Sequence, residues 1–293
     1  MLIRRLPAPC CAGLTDERCR RLAQLCVETG VVLLLVLSEV FSSNIQSTLP
    51  ALSTLARLAL TGGALLALGF KCVFLTRYET KGQWAALFAV LAYTGFAALY
   101  GGDEWFVLAA LVGLAAKDTD LRRLVRVYLA AAAAGLVLVQ LLHLLTPLVP
   151  FKFYCRNWDF GYGHYNGYGA RLMGVFLAWG WLRWPRLRWF DWAGLAALAV
   201  YTLTVPVCRG AGGAMLLLLA LFAAQKLLPR LFESRLYHGL LLAVYPALTA
   251  FSIWAGWRFD PLNSGLTPHL SNINRLLSGR FEIWHNVFWQ TPA

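Results

Sequence analysis

"LVRVYLAAAAAGLVLVQLLHLLTPL", residues 124–148, decides the fold, because it carries a single charged side chain, Arg126, near its start. As a helix rising about 1.5 Å per residue, a stretch of this length outspans the roughly 30 Å hydrocarbon layer of a bilayer. A soluble core does not ask for an apolar helix of this reach. Eight more apolar runs flank it, at about 25–43, 51–70, 84–100, 104–116, 166–183, 190–207, 210–228 and 238–257. Composition agrees, with 59% hydrophobic and 14% charged residues against about 25% charged in ordinary soluble domains. The sequence therefore predicts an all-α, polytopic transmembrane helical bundle of about nine helices. It has a basic cytoplasmic segment at 1–24, a membrane domain at 25–257 and an outer loop segment at 258–293. No cleavable signal peptide is expected, since the first apolar run is long and lacks a small-residue cleavage site.

The fourth run is short. Lys81 precedes the third run and Lys117 follows the fourth, both in basic stretches. Basic loops stay in the cytoplasm, so an even number of crossings lies between them. A hairpin turning near Gly101 to Glu104 satisfies this. With the N-terminus inside, most of the 26 Lys and Arg fall in short cytoplasmic loops. The net charge of +12 is thus a positive-inside bias that also favours anionic membrane lipid, and nucleic acid is excluded as a partner.

Polar chemistry collects on the outer side. Glu39 and Arg57 lie at similar depth in the first two runs and are expected to pair. Arg57 and Arg171 either face a cavity or snorkel to the interface. A polar, glycine-rich break in the hydrocarbon is "DFGYGHYNGYGARL", Asp159 to Leu172. Its glycines give an irregular backbone, and such backbone at membrane depth needs protein cover or a wet cavity. Tyr162 and Tyr165 offer flat faces for a sugar, or simply mark the interface. His164, Asn166 and Asp159 add proton-transfer and hydrogen-bonding groups. At "TVPVCRGAGGAMLLLL" Arg209 opens a helix behind glycines, a natural seat for an anion. Cys155 and Cys208 share the outer side, and sequence does not say whether they bond. The cysteine and histidine spacings match no common zinc site, so no metal and no cofactor are expected. Residues 271–290 show helical apolar spacing and read as an amphipathic element at the outer interface.

Three segments taken together, "FGYGHYNGYGARL" (160–172), "CRGAGG" (208–213) and "NRLLSGRFEIW" (274–284), resemble the O-antigen ligase and polymerase family, the Wzy-type polysaccharide polymerases and their ligase relatives. The resemblance spans roughly 150–290. It departs from the family at Tyr165, where proline is frequent, and at Cys208, where serine precedes the arginine. The chain also ends at Ala293, inside a loop that relatives continue, which implies a fragment or a shortened relative. The resemblance implies a metal-independent membrane glycosyltransferase in the bacterial inner (plasma) membrane. Its donor would be an undecaprenyl-diphosphate-linked oligosaccharide, and other glycan-assembly membrane proteins would be partners. It implies Arg209, Arg280 and Arg171 as diphosphate contacts, and His164 or His285 as general base. Asn166 and Asp159 would be positioning groups. A ligase for a lipid or wall acceptor, a lipid-linked oligosaccharide transporter and a non-catalytic scaffold are the rival readings.

Overall fold

The computed structural model describes residues 16–76, 78–101, 105–154, 157–259, 268–276 and 280–290. The expected turn at 102–104, most of the basic N-terminal segment, Cys155 and the Ser-Gly step at 278–279 lie outside the described residues. Helices make up almost all of the rest. They are α1 (Asp16–Val36), α2 (Ile45–Thr48), α3 (Pro50–Phe70), α4 (Lys81–Gly101), α5 (Trp105–Ala115), α6 (Leu121–Leu145), α7 (Tyr165–Arg183), α8 (Trp189–Thr204), α9 (Arg209–Leu227), α10 (Pro229–Phe232), α11 (Arg235–Arg258), α12 (Pro268–Leu276) and α13 (Arg280–Gln290). One two-stranded antiparallel hairpin, β1 (Phe153–Tyr154) with β2 (Asn157–Trp158), precedes α7.

Each of the nine apolar runs coincides with a helix. Six of these helices, α1, α3, α4, α6, α9 and α11, are long and apolar enough to cross a membrane. The 11-residue α5 and the 16-residue α8 are shorter than the roughly 17–25 residues of a typical span. The 19-residue α7 opens on the polar segment and does not join the six. Exposed Leu, Phe and Val side chains cover the outside of α3, α4, α6 and α11, as a lipid-facing surface requires. The expected interfacial element at 271–290 is two short helices, α12 and α13.

Caps explain several helix starts. Asp120 accepts from Arg123 N at 3.0 Å at the start of α6, and Ser234 accepts from Tyr237 N at 3.2 Å at α11. Pro50 opens α3 at a position where its missing N–H costs nothing. Two helices loosen into π turns at their ends, α1 over Leu37–Phe41 and α3 over Lys71–Leu75. Each π turn holds a buried charge, Glu39 and Lys71.

The chain divides into two compact units, 1–219 and 220–293. In the first, α1 packs on α3 and α6, and α6 on α7. One core cluster gathers Val27, Val31, Ala64, Leu68 and Leu108; another gathers Val139, Tyr168, Phe176, Leu195 and Met215. Glycines allow the approach. A Cβ at Gly30 would sit 2.6 Å from Leu68 Cγ, and one at Gly135 would sit 2.7 Å from Glu39 Cβ. At one end of this unit Gln24 accepts from Asp120 N at 2.8 Å, and Arg123 Nε pairs with Glu28 at 2.6 Å. Asp191 ties α8 to α7 through Arg183 at 3.0 Å and Trp179 Nε1 at 3.2 Å. In the second unit α13 packs on α11 around Phe281, which is fully buried against Ala255 and Phe259. Asn274 Oδ1 accepts from Phe281 N at 2.8 Å and so caps α13 from α12.

Gly135→Val forces two methyl groups into the π turn of α1. Overpacking of this kind costs about 1–3 kcal/mol. A fall of several degrees in the detergent melting midpoint is expected, whereas Gly95→Val on α4, where nothing lies within 4 Å of a Cβ, leaves the midpoint in place.

Candidate functional site

The segment before α7 is held by Asp159. This carboxylate is fully buried. Its Oδ1 accepts from Lys152 N at 2.8 Å and Gly161 N at 3.0 Å, and its Oδ2 accepts from Asn44 Nδ2 at 2.7 Å. Asn44 also donates to Pro150 O at 2.6 Å, and its backbone N–H donates to Gly161 O at 2.6 Å. The loop is therefore clamped onto the bend that follows α1. Gly161 must be glycine. Its φ is +86°, and a Cβ there would meet Val149 Cγ1 at 2.8 Å. Gln140 Nε2 donates to Phe160 O at 3.2 Å, and the His143 ring stacks 3.5 Å from Phe151. Gln140 and His143, three residues apart on α6, thus support this loop.

The charge that meets Glu39 is Arg171, not Arg57. Arg171 Nε stands 3.1 Å from Glu39 Oε2, with both side chains largely buried. This is a correction to the sequence expectation. Depth along neighbouring runs suggested Arg57, but α6 and the loop bring the start of α7 against the π turn of α1. Arg171 also donates to Ser38 O at 2.6 Å and Gly167 O at 3.0 Å, and its guanidinium lies 4.2 Å from the centre of the Tyr162 ring. Tyr162 OH donates to Glu39 Oε2 at 3.4 Å. Burial first, and the Glu39 charge next, push this phenol up, so it remains a donor.

These contacts sort the sequence-predicted site residues. Asp159, Tyr162 and Arg171 are committed to internal partners. Tyr165 and His164 are half-buried, with rings 4.1 Å apart, and Asn166 is exposed. Asn166 Oδ1 accepts from Cys208 Sγ at 3.3 Å. Cys208 is a free, buried thiol. A Cβ on Gly169 would sit 2.4 Å from Cys208 Sγ, so the α7 start packs tightly on the α8–α9 junction. Arg209, next in sequence, is exposed at the first position of α9, and no described residue pairs with its guanidinium. His164, Asn166 and Arg209 thereby share one end of the first unit. Arg57 lies elsewhere on that unit, exposed beside a cavity on α3. Arg280 and His285 belong to the second unit, where Arg280 is exposed at the first position of α13.

The two histidines differ in a way that sequence does not show. His164 caps α7, with Nδ1 3.0 Å from Asn166 N. A backbone N–H only donates, so this Nδ1 is the unprotonated nitrogen and the neutral ring carries its proton on Nε2. The neutral His164 ring then presents an N–H at Nε2. His285 is the reverse. Its Nδ1 lies 3.2 Å from Gly256 O, a carbonyl only accepts, and Nε2 is left with the lone pair that a general base needs.

Sequence reasoning missed Asn44 and Cys208 as contacts. The polar run "SSNIQS" after the first apolar segment was legible as a loop, but no spacing rule ties it to a residue 115 positions away. Compared with family models, curated proteins and solved structures, the chain matches none.

Removing one member of a buried ion pair costs roughly 3–5 kcal/mol, because the other charge is stranded. Arg171→Met and Glu39→Gln are each expected to lower the melting midpoint sharply, and the double variant to recover part of the loss. A double-mutant cycle returns strong coupling for Glu39 with Arg171 and none for Glu39 with Arg57.

Proposed function

We propose that the chain is a membrane glycosyltransferase that transfers or polymerises glycan units carried on a polyprenyl diphosphate, most simply undecaprenyl diphosphate. In this reading the nine helices cross or enter a bacterial inner membrane with the N-terminus cytoplasmic, and the starts of α7 and α9 face outward. The observation that carries the reading is the Arg209 end of the first unit. An exposed arginine without a described partner opens α9, against the capped start of α7. Two helix N-termini and a guanidinium fork make a strong anion seat in apolar surroundings. The leaving diphosphate gains negative charge as the glycosidic bond breaks. A fixed arginine stabilises that charge more in the transition state than in the ground state.

The remaining roles follow from the contacts. His164 donates from Nε2 to an oxygen of the donor lipid. Asn166 and Tyr165, both partly open to solvent, contact the sugar by hydrogen bond and by ring face. The buried set Asp159, Tyr162, Arg171 and Glu39 holds the α7 start rigid and does not touch substrate. The resemblance also implies His285 as the base for the acceptor hydroxyl and Arg280 as a second positive group. The resemblance to polysaccharide polymerases and ligases supports the same chemistry from the order of the three segments. A polymerase uses a second lipid-linked unit as acceptor, and a ligase uses a lipid or wall glycan.

Purified chain incubated with a labelled polyprenyl-diphosphate oligosaccharide is expected to give a product ladder on a gel. Arg209→Ala abolishes it without loss of membrane insertion. His285→Gln lowers turnover by about 10²–10⁴-fold, the usual range for a lost general base. His164→Ala lowers it by only about tenfold, as for one lost hydrogen bond to a charged group. Bound but unreacted donor in the wild type points instead to a transporter, and undiminished product from Arg209→Ala removes the assignment.

A further inference from the structure

The polar cavity beside Arg57 is lined by none of the residues given a role in glycosyl transfer above. It has a volume of about 280 Å³ and is enclosed by the π turn of α1, α2 and the first two turns of α3. Leu37 and Phe41 form an apolar wall, and Ser42, Gln46, Ser53 and Arg57 supply the polar one. We infer that this cavity binds a phosphate group, carried either by a membrane lipid or by a soluble ester.

Several independent features converge on it. Ser53 is only 8% exposed and lines the cavity, yet among the described residues its hydroxyl has no hydrogen-bond partner. A buried hydroxyl left unpaired costs about 1–3 kcal/mol, and a ligand oxygen in the cavity removes that cost. Neither Ser42 Oγ nor the Gln46 amide bonds to another described side chain, so donors other than Ser53 also line the space. The cavity sits at the N-terminus of a 21-residue helix whose N-cap, Leu49, supplies no capping side chain. The N–H groups of Ala51 and Leu52 at that helix start have no intrahelical acceptor, and the helix dipole favours negative charge there. Arg57 brings a permanent positive charge. It lies seven residues, about 10 Å, beyond the start of α3, and side chains on a helix lean toward its N-terminus, so the guanidinium reaches back to the cavity. Pro50, Ser53 and Arg57 follow the spacing of one helix face.

Charge and shape select the ligand. A permanent cation, hydroxyl and amide donors and a helix N-terminus suit a phosphate oxyanion better than a neutral sugar. The volume is at or below the small end of ordinary small-molecule sites, which run from about 300 to 1,000 Å³. A phosphate with its ester oxygens fits that size. The apolar wall of Leu37 and Phe41 accommodates the first carbons of a lipid ester. None of its lining residues belongs to the Arg209 end, and it does not depend on glycosyl transfer.

The test uses the full chain in detergent with Arg209→Ala as background, so that the other anion seat does not contribute. Binding of dihexanoyl phosphatidic acid, inorganic phosphate and dihexanoylglycerol is measured by equilibrium titration. Saturable binding of phosphatidic acid is expected. It should weaken about tenfold or more in Arg57→Gln and about two- to fivefold in Ser53→Ala. Inorganic phosphate binding with the same variant pattern identifies a soluble-anion site, and phosphatidic acid binding alone identifies a lipid site; both support the inference. No saturable binding of either phosphate, equal binding of dihexanoylglycerol, or unchanged affinity in Arg57→Gln overturns it. Should Arg57→Gln elute as aggregate, Ser53→Ala and Gln46→Ala decide, and unchanged affinity in both also overturns it.

Discussion

The Asp159 carboxylate organises the chemistry-bearing end of the first unit. A fully buried carboxylate is tolerated in an apolar bundle only when its oxygens are supplied with donors. Asp159 finds them in two backbone N–H groups of its own loop and in the side chain of Asn44. Those three bonds fold the loop over itself and fasten it to the bend after α1. The positive φ values of Phe160, Gly161 and Gly163 follow from that tight path. The loop in turn sets where α7 begins, and so where His164, Asn166 and Tyr165 stand.

A second buried charge works with the first. Glu39 sits on a π turn, where the helix widens and its side chains shift register. Gly135 on α6 has no Cβ to block the approach. The carboxylate then meets Arg171 from α7, and Tyr162 from the loop lies under the guanidinium. One arginine joins the π turn of α1, the loop and α7. An arginine so engaged holds the frame.

The histidines show how a backbone contact sets chemistry. Both rings offer Nδ1 to the main chain, one to an N–H and the other to a carbonyl. The neutral tautomers are therefore opposite. One ring presents a proton at Nε2 and the other a lone pair. Acid-like and base-like histidines arise from the same residue type through a partner that sequence spacing does not reveal.

Much of the fold was determined by sequence alone. Apolar runs of helical length, broken by basic stretches, glycines and prolines, mark nine of the described helices, six of them long and apolar enough to cross a membrane. In the sequence only the run of α5 stands out as short; the helix bounds set α7 and α8 apart from the six as well. The polar concentration at Asp159 to Leu172 and the arginine at the start of α9 were equally legible, because charge is conspicuous against hydrocarbon. Tertiary structure decided which polar groups meet. Glu39 pairs with Arg171 and not with Arg57, Asn44 reaches Asp159, and Cys208 reaches Asn166. Such pairings span from about 40 to more than 130 positions along the chain, a separation at which local spacing rules such as those within a helix carry no information. They depend on π turns, glycine approaches and loop dihedrals that appear only when the helices pack. The contacts of the two histidine rings were decided last, by the main-chain atoms that packing set beside each Nδ1.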